Sequence, residues 1–134
     1  MTTITFRVDG RMLKLRNLVR LDLSGNEITS LPDSWQLVDQ LSELDLSNNQ
    51  LDKLPRGFCV GSLAASLKQL DLSGNKISLL PNYLCNLREL ITVNVTRNQL
   101  KALPPSIGKL TKLKHFQAAD NNIQVLPGSF SRLR

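Results

Sequence analysis

Leucine and other apolar residues recur along this chain in a fixed frame that is not a simple helical or alternating pattern. In the segment Leu18–Asn26, leucines occupy positions one, four and six, and an asparagine closes the segment at position nine. Side chains two residues apart point to the same face of an extended strand. The frame therefore predicts a short strand that buries Leu21 and Leu23 and displays Asp22 on the opposite face.

The frame is repeated along the chain, and each copy is followed by the same residues that end a strand or helix. The copies start at Leu18, Leu41, Leu67, Leu90 and Leu113. Their spacings are 23, 26, 23 and 23 residues. Five residues after each asparagine comes a Leu-Pro pair, and proline stops a strand or helix from continuing. Further apolar residues, three apart, predict one turn of helix on the outer face.

This pattern matches the signature L-x-x-L-x-L-x-x-N-x-L, so the chain resembles the leucine-rich repeat family. The resemblance implies an α/β fold, a right-handed solenoid in the form of a short horseshoe. Its concave side would carry a parallel β-sheet, and its convex side short helical or 3-10 segments. We expect residues 1–134 to form a single leucine-rich repeat domain in which residues 1–17 are a partial N-terminal coil. The second repeat has three extra residues, and residues 62–67 predict a longer helical turn there.

The formal net charge of +6 would by itself suggest nucleic acid as a partner. Charges expected on the concave side are nearly balanced, however. The acids are Asp22, Glu27, Glu43, Asp45, Asp71 and Asp120. The bases are Arg20, Lys68, Lys76, Arg97 and Lys114. A duplex-binding groove needs a basic stripe and a single-strand groove needs aromatic side chains, so we expect no direct nucleic-acid binding. No apolar run approaches the ~20 residues of a membrane span, so we expect no membrane partner.

Nothing in the sequence resembles a catalytic constellation. The chain has one histidine, His115, and none of the common nucleophile or phosphate-binding motifs. We therefore expect no enzymatic activity, no cofactor and no metal site. Cys59 and Cys85 occupy the same position of neighbouring repeats on the convex side, where they are expected as near neighbours, either free or paired in a disulfide. Two cysteines and an N-terminus without a signal-peptide core favour an intracellular location, in nucleus or cytoplasm.

A solenoid of this kind binds a protein partner through the side chains that its sheet displays. The candidate contact residues are those at outward positions of the predicted strands. They are Arg20, Glu43, Asp45, Gln69, Asp71, Thr92, Asn94, Thr96, Arg97, His115, Gln117 and Asp120. The aspartates also fit the family consensus Leu-Asp-Leu-Ser, so a purely structural role is an alternative for them. The last two repeats depart from that consensus, and Arg97 beside the His115 imidazole suits an anchor at an interface.

Three stretches suggest a closer relationship: residues 7–13, the long repeat up to residue 73, and residues 116–121. They resemble leucine-rich substrate receptors of cullin-2 ubiquitin ligases, which recognise the replicative helicase for its removal from chromatin. The resemblance implies substrate recognition in the nucleus. No elongin-binding box matches, because Pro55 and Pro81 replace its leucine ahead of Cys59 and Cys85. Elongin and cullin-2 are therefore expected as partners only if the native chain is longer.

Two further interpretations of the same pattern stay open. The form Leu-Pro-x-x-Ile/Leu-x-x-Leu also resembles the Ras-suppressor class of leucine-rich proteins, which implies a scaffold or regulator of small-GTPase signalling. In addition, no polar cap follows the last repeat, although terminal coils normally need one. The exposed C-terminal edge could then pair two copies of the chain as a homodimer.

Overall fold

Five short parallel strands lie side by side in chain order, one from each repeat. The computed structural model describes residues 18–33, 40–59 and 61–128; the partial coil expected at 1–17 lies outside them. The strands are β1 (Arg20–Asp22), β2 (Glu43–Asp45), β3 (Gln69–Asp71), β4 (Thr92–Asn94) and β5 (His115–Gln117). The sheet order is β1-β2-β3-β4-β5, with equivalent positions of neighbouring repeats in register.

Short helical segments form the opposite layer. The 3-10 helices span Arg56–Cys59, Asn82–Asn86 and Ile107–Lys109. The one α-helix within the described ranges, α1 (Ser62–Ser66), forms in the second repeat, whose extra residues it accommodates. Neighbouring helical segments pack against one another. The predicted α/β arrangement, a parallel sheet with short helical segments opposite it, is confirmed.

The core lies between these two layers and is a stack of aliphatic side chains. The middle strand residues Leu44, Leu70 and Val93 are at most 2% exposed. The helical layer adds Phe58, which is fully buried. We refer to the side of the sheet that faces away from this core as the concave surface. The last Leu-Pro leucine within the described residues, Leu126, is 54% exposed, whereas its equivalents in the preceding repeats are buried.

Buried asparagines link each repeat to the one before it. The amide nitrogen of Asn49 donates to the carbonyls of Leu46 in its own repeat and Leu23 in the preceding repeat, at 3.0 and 2.9 Å. Its amide oxygen accepts from the backbone N–H of Ile28 at 3.1 Å. The same three kinds of bond recur at Asn75, Asn98 and Asn121. Each asparagine therefore satisfies backbone groups of two turns at once.

Asn26, in the first described repeat, has only the bonds to its own turn. Its Nδ2 donates to the carbonyls of Leu23 and Ser24. Its buried Oδ1 has no hydrogen-bond partner within the described part of the chain. Among the described residues, Asn26 therefore lacks both bonds that the later asparagines make to the preceding repeat, the one from Nδ2 to a carbonyl and the one that Oδ1 accepts from a backbone N–H.

We expect Asn75→Ala to lower the free energy of unfolding by roughly 2–4 kcal/mol, because it leaves buried backbone groups of two repeats without partners. The bonds lost are those to Leu46, Leu72 and Ser73 and the one from the Leu51 N–H. Urea unfolding followed by circular dichroism measures the change. The control is Asn86→Ala, at an exposed position of a 3-10 helix, which should stay within about 0.5 kcal/mol of the wild type. Equal midpoints for Asn75→Ala and the wild type would contradict the prediction.

Candidate interaction surface

The concave surface carries an open cavity of about 260 Å³. Leu21, Leu44 and Leu70, the middle residues of β1 to β3, contribute to it, and polar side chains from the first and third strand positions surround them. Eight of the twelve candidate contact residues line this cavity. These are Arg20, Glu43, Asp45, Gln69, Asp71, Thr92, Asn94 and Gln117. The fold therefore brings together residues that are up to four repeats apart in the sequence.

The other four candidates lie outside the cavity. His115 is exposed at the start of β5, and Thr96 is half-buried two residues after β4. The placement of Thr96, Arg97 and Asp120 at outward strand positions was wrong, because each strand ends after its fifth repeat position. Arg97 and Asp120 instead occupy turns, with positive φ values of 57° and 55°. The alternation of inward and outward side chains stops where such a turn begins.

The aspartates of the third strand position make local hydrogen bonds. Oδ1 of Asp45 accepts from the Ser47 hydroxyl at 2.6 Å and from the Ser47 backbone N–H at 2.9 Å. The same pair of bonds recurs at Asp22 and Asp71. In the fourth repeat, the bond that Oδ1 of Asn94 accepts from the described residues is the backbone one, from Thr96. One oxygen of each aspartate therefore holds the turn after the strand, which is the structural role left open by the family consensus.

These bonds also affect ionisation at the first strand. The hydroxyl and backbone N–H of Ser24 lower the pKa of Asp22 below its ordinary value, because both stabilise the carboxylate. Beside it, Arg20 forms an ion pair with Glu43 across the β1–β2 register, with Nε and Oε2 separated by 3.3 Å.

Charge is unevenly distributed around the cavity. All four charged lining residues, Arg20, Glu43, Asp45 and Asp71, come from β1 to β3. The β4 and β5 side contributes Thr92, Asn94 and Gln117, which are neutral hydrogen-bonding groups. Amides can both donate and accept. The cavity can therefore hydrogen-bond a polar segment of polypeptide at one end and meet charged groups at the other.

A second cavity, of about 430 Å³, lies between the loops that follow the second and third strands. It is lined by Asp52, Lys53, Leu54, Ser78, Leu79, Pro81 and Tyr83. Leu79 is 66% exposed there. The Tyr83 hydroxyl donates to the Leu54 carbonyl at 2.7 Å, and the Arg56 guanidinium lies 5.5 Å from the tyrosine ring centroid. We did not predict this feature, although its signal was the second leucine ahead of Pro81, where the other repeats have Ser, Lys, Ala or Val.

The two cysteines are free and lie inside the helical layer. Cys59 and Cys85 are 0% and 1% exposed. Burial raises the pKa of Cys59 to about 12, with a further contribution from Cys85, and it raises the pKa of Cys85 to about 11. Since the thiolate is the reactive form, neither is suited to nucleophilic chemistry. Of the two alternatives left open by the sequence, the structure has free thiols.

The described residues contain no group of three or more His, Cys, Asp or Glu side chains that could hold a metal ion. In the same ranges, no helix has the length and apolar character that crossing a bilayer requires.

Comparisons with known proteins agree with this architecture. A leucine rich repeat family model matches residues 6–51, 16–77 and 39–100. The chain is also similar to Leucine-rich repeat protein 1 of Mus musculus, with 46% identity over 127 residues. That match covers 95% of this chain and 30% of the mouse protein, so the chain spans less than a third of its curated relative.

Solved structures show the same fold. A leucine-rich repeat protein of Leptospira interrogans matches 95% of this chain and 38% of its own, at 27% identity and a TM-score of 0.67. An internalin of Listeria monocytogenes matches 98% of this chain and 37% of its own, at 26% identity and a TM-score of 0.77. A plant peptide hormone receptor, solved in complex with RGF2, has 20% identity and a TM-score of 0.64, and supports the fold alone.

The raised cysteine pKa values predict how stability depends on pH. Above the ordinary thiol pKa of 9.0 the unfolded chain loses both protons, while the folded chain keeps them up to about pH 11. The free energy of unfolding should therefore be unaffected by the thiols below pH 9. Between pH 9 and 11 it should fall by about 1.4 kcal/mol per pH unit for each thiol.

The measurement is urea unfolding at a series of pH values, with the double variant Cys59→Ala/Cys85→Ala as the reference. Burial raises the pKa of Tyr83 in both proteins, and that contribution cancels from the comparison; the smaller contribution of Cys59 to the raised pKa of Tyr83 is lost with the thiols. The double variant will be less stable, but only the slope against pH is compared. A slope equal to that of the wild type would show that the thiols ionise equally easily in both states.

Proposed function

The chain belongs to the leucine-rich repeat family, and on that premise we propose that it is a substrate-recognition segment for a cullin-2 ubiquitin ligase. As a leucine-rich repeat it is a protein-interaction module. The observation that carries the finer proposal is the 46% identity to Leucine-rich repeat protein 1 over 95% of the chain. The ligase function enters through the resemblance to cullin-2 substrate receptors, and it implies a nuclear substrate, the replicative helicase.

The proposed binding site is the concave surface. Its cavity is rimmed by polar side chains over leucines of the core, and a polypeptide segment laid across the strands would meet donors and acceptors from every repeat. The asparagine bonds between repeats fix the strands, so little backbone ordering is required on binding. The leucine-rich repeat chain would hold the substrate, while ubiquitin transfer would take place on other subunits of the ligase.

The location and remaining partners follow from the same proposal. We place the chain in the nucleus or cytoplasm, and we assign it no catalytic activity of its own. Docking to elongin and cullin-2 would belong to other parts of a longer protein, since the chain spans 30% of its mouse relative.

Two alternatives have an observation in their favour. The 23-residue Leu-Pro form of the repeat supports a scaffold for small GTPases of the Ras type. The exposure of Leu126, whose equivalents in the preceding repeats are buried, supports a homodimer through the C-terminal edge. Light scattering that gives a monomer at high concentration would exclude the dimer.

Gln69→Arg tests the concave site. Gln69 is exposed at the start of β3, where it lines the cavity with Glu43 and Asp71. An arginine there would extend into the cavity and be retained by these carboxylates. We expect capture of the purified replicative helicase by the immobilised chain to fall at least about tenfold. The melting temperature should change little, since the replaced side chain is exposed.

The matched control is Asn86→Arg, which adds the same charge on the opposite layer and should capture the helicase as well as the wild type does. A parallel arm offers a GTP-loaded Ras-type GTPase. If the wild type captures the GTPase and not the helicase, the scaffold function replaces the ligase function. If Gln69→Arg and Asn86→Arg bind alike, the partner binds elsewhere than the cavity.

A further inference from the structure

A column of left-handed turns follows the strands, one residue from each repeat. The residues are Gly25, Asn48, Gly74, Arg97 and Asp120, with φ values of 69°, 57°, 68°, 57° and 55°. Glycine adopts this conformation without a steric penalty, and asparagine and aspartate adopt it more readily than other residues. Arginine gains no such tolerance from its side chain. Arg97 is therefore the one member of the column whose residue type conflicts with its backbone.

The backbone at this position is held by hydrogen bonds between repeats. The N–H groups of Gly25, Asn48, Gly74 and Arg97 each donate to a carbonyl of the following repeat. For Asn48, Gly74 and Arg97 the acceptors are Ser73, Thr96 and Ala119, at 2.8, 2.9 and 2.9 Å. A residue in a conformation imposed in this way keeps its strain, and such strain is commonly found at sites with a function.

No contact of the Arg97 side chain within the described ranges compensates for this conflict. The residue is exposed. The ion pairs among the described residues are Arg20–Glu43 and Lys112–Glu89, and neither includes Arg97. The side-chain hydrogen bonds of the described residues do not include its guanidinium either. A reason to keep arginine at this position is therefore to be sought in a bound partner.

The position of Arg97 indicates the chemistry of that partner. It lies outside the cavity, three residues after Asn94, which lines it, so a polypeptide that continues past Asn94 along the turn would meet it. A guanidinium binds a carboxylate through two parallel hydrogen bonds. Asp120 holds the same column position in the next repeat, adjacent through the bond from Arg97 N–H to the Ala119 carbonyl. Its negative charge would disfavour a doubly charged phosphate more than a singly charged carboxylate.

We infer that Arg97 is a specificity-determining residue that binds a carboxylate side chain of a polypeptide lying on the concave surface, and that the chain retains it at a cost in stability. The inference rests on the proposed function only in taking the partner to be a polypeptide. It goes beyond that function in predicting that the partner carries an acidic residue, bound by Arg97 beside the neutral end of the cavity.

Two substitutions at equivalent column positions test the cost in stability. Arg97→Asn should raise the melting temperature by about 2–4 °C, since asparagine tolerates the left-handed turn. Asn48→Arg, the reverse change two repeats earlier, should lower the melting temperature by a similar amount. Differential scanning calorimetry measures both. If Arg97→Asn is no more stable than the wild type, the inference is wrong, because no strain then remains to be explained.

Binding is tested with a random peptide library displayed on phage and selected against the wild-type chain. We expect the enriched peptides to share an Asp or Glu. Changing that residue to Ala should weaken binding to the wild-type chain about tenfold. The unchanged parent peptide should bind the Arg97→Asn variant about tenfold more weakly than it binds the wild type. Lys101→Asn, which removes an exposed positive charge from outside the column, should bind the parent peptide normally. Because the library does not depend on the helicase, a failure of helicase capture would overturn the proposed function and leave this test intact.

Three outcomes of the binding test would overturn the inference. The first is an enriched set without a shared acidic residue, or no enrichment at all. The second is equal affinity of the selected peptide for the wild type and Arg97→Asn. The third is tighter binding when a phosphoserine replaces the acidic residue, which would assign the arginine to a phosphate instead.

Discussion

The hydrogen bonds of the buried asparagines are the constraint on which the rest of this structure depends. Every coil must turn sharply after its strand, and the turn leaves backbone N–H and C=O groups inside the protein without strand partners. One side chain per repeat satisfies groups in two successive turns, as Asn75 does for Leu46, Leu51 and Leu72. A coil therefore cannot shift along its neighbour without leaving buried polar groups unpaired. The leucines supply most of the buried apolar surface, but apolar contacts are not directional, and it is the amide bonds that fix the register.

A fixed register has a direct consequence for the surface. Equivalent positions of successive repeats lie side by side, so each position becomes a column, and each column has its own physical requirement. In the first four repeats the third strand position provides an acceptor for the backbone N–H two residues later, from Asp22, Asp45, Asp71 or Asn94. The first strand position has no such requirement, and it holds Arg, Glu, Gln, Thr and His in turn. Residue types therefore vary at the first strand position, where a partner could make contact and the fold requires no particular side chain.

The sequence was sufficient to predict the sheet, the helical layer opposite it and the family, because spacing alone determines which side chains share a face. It was also sufficient to group eight contact candidates that line one cavity. It failed at the end of the strand, where Thr96, Arg97 and Asp120 were taken as outward strand residues. Periodicity indicates how side chains alternate in a strand, but it does not show where the backbone leaves the extended conformation. The ion pair of Arg20 with Glu43 and the cavity beside Leu79 also depend on side-chain conformations in three dimensions, which spacing does not determine.

In the column of left-handed turns, the requirement of the fold and the requirement of a bound partner can conflict at a single position. Its backbone conformation serves the solenoid, since Gly25, Asn48, Gly74 and Arg97 each donate a hydrogen bond to the next repeat. The exposed side chain of Arg97 can in addition serve a partner. Where glycine or asparagine occupies the column, only the first purpose is met. Arginine at position 97 adopts the left-handed backbone conformation less readily than glycine or asparagine, and the repeats on either side hold the turn in place. A solenoid can tolerate such a residue because the bonds between repeats are distributed over the whole stack, so a local cost at one coil does not disturb the register of the others.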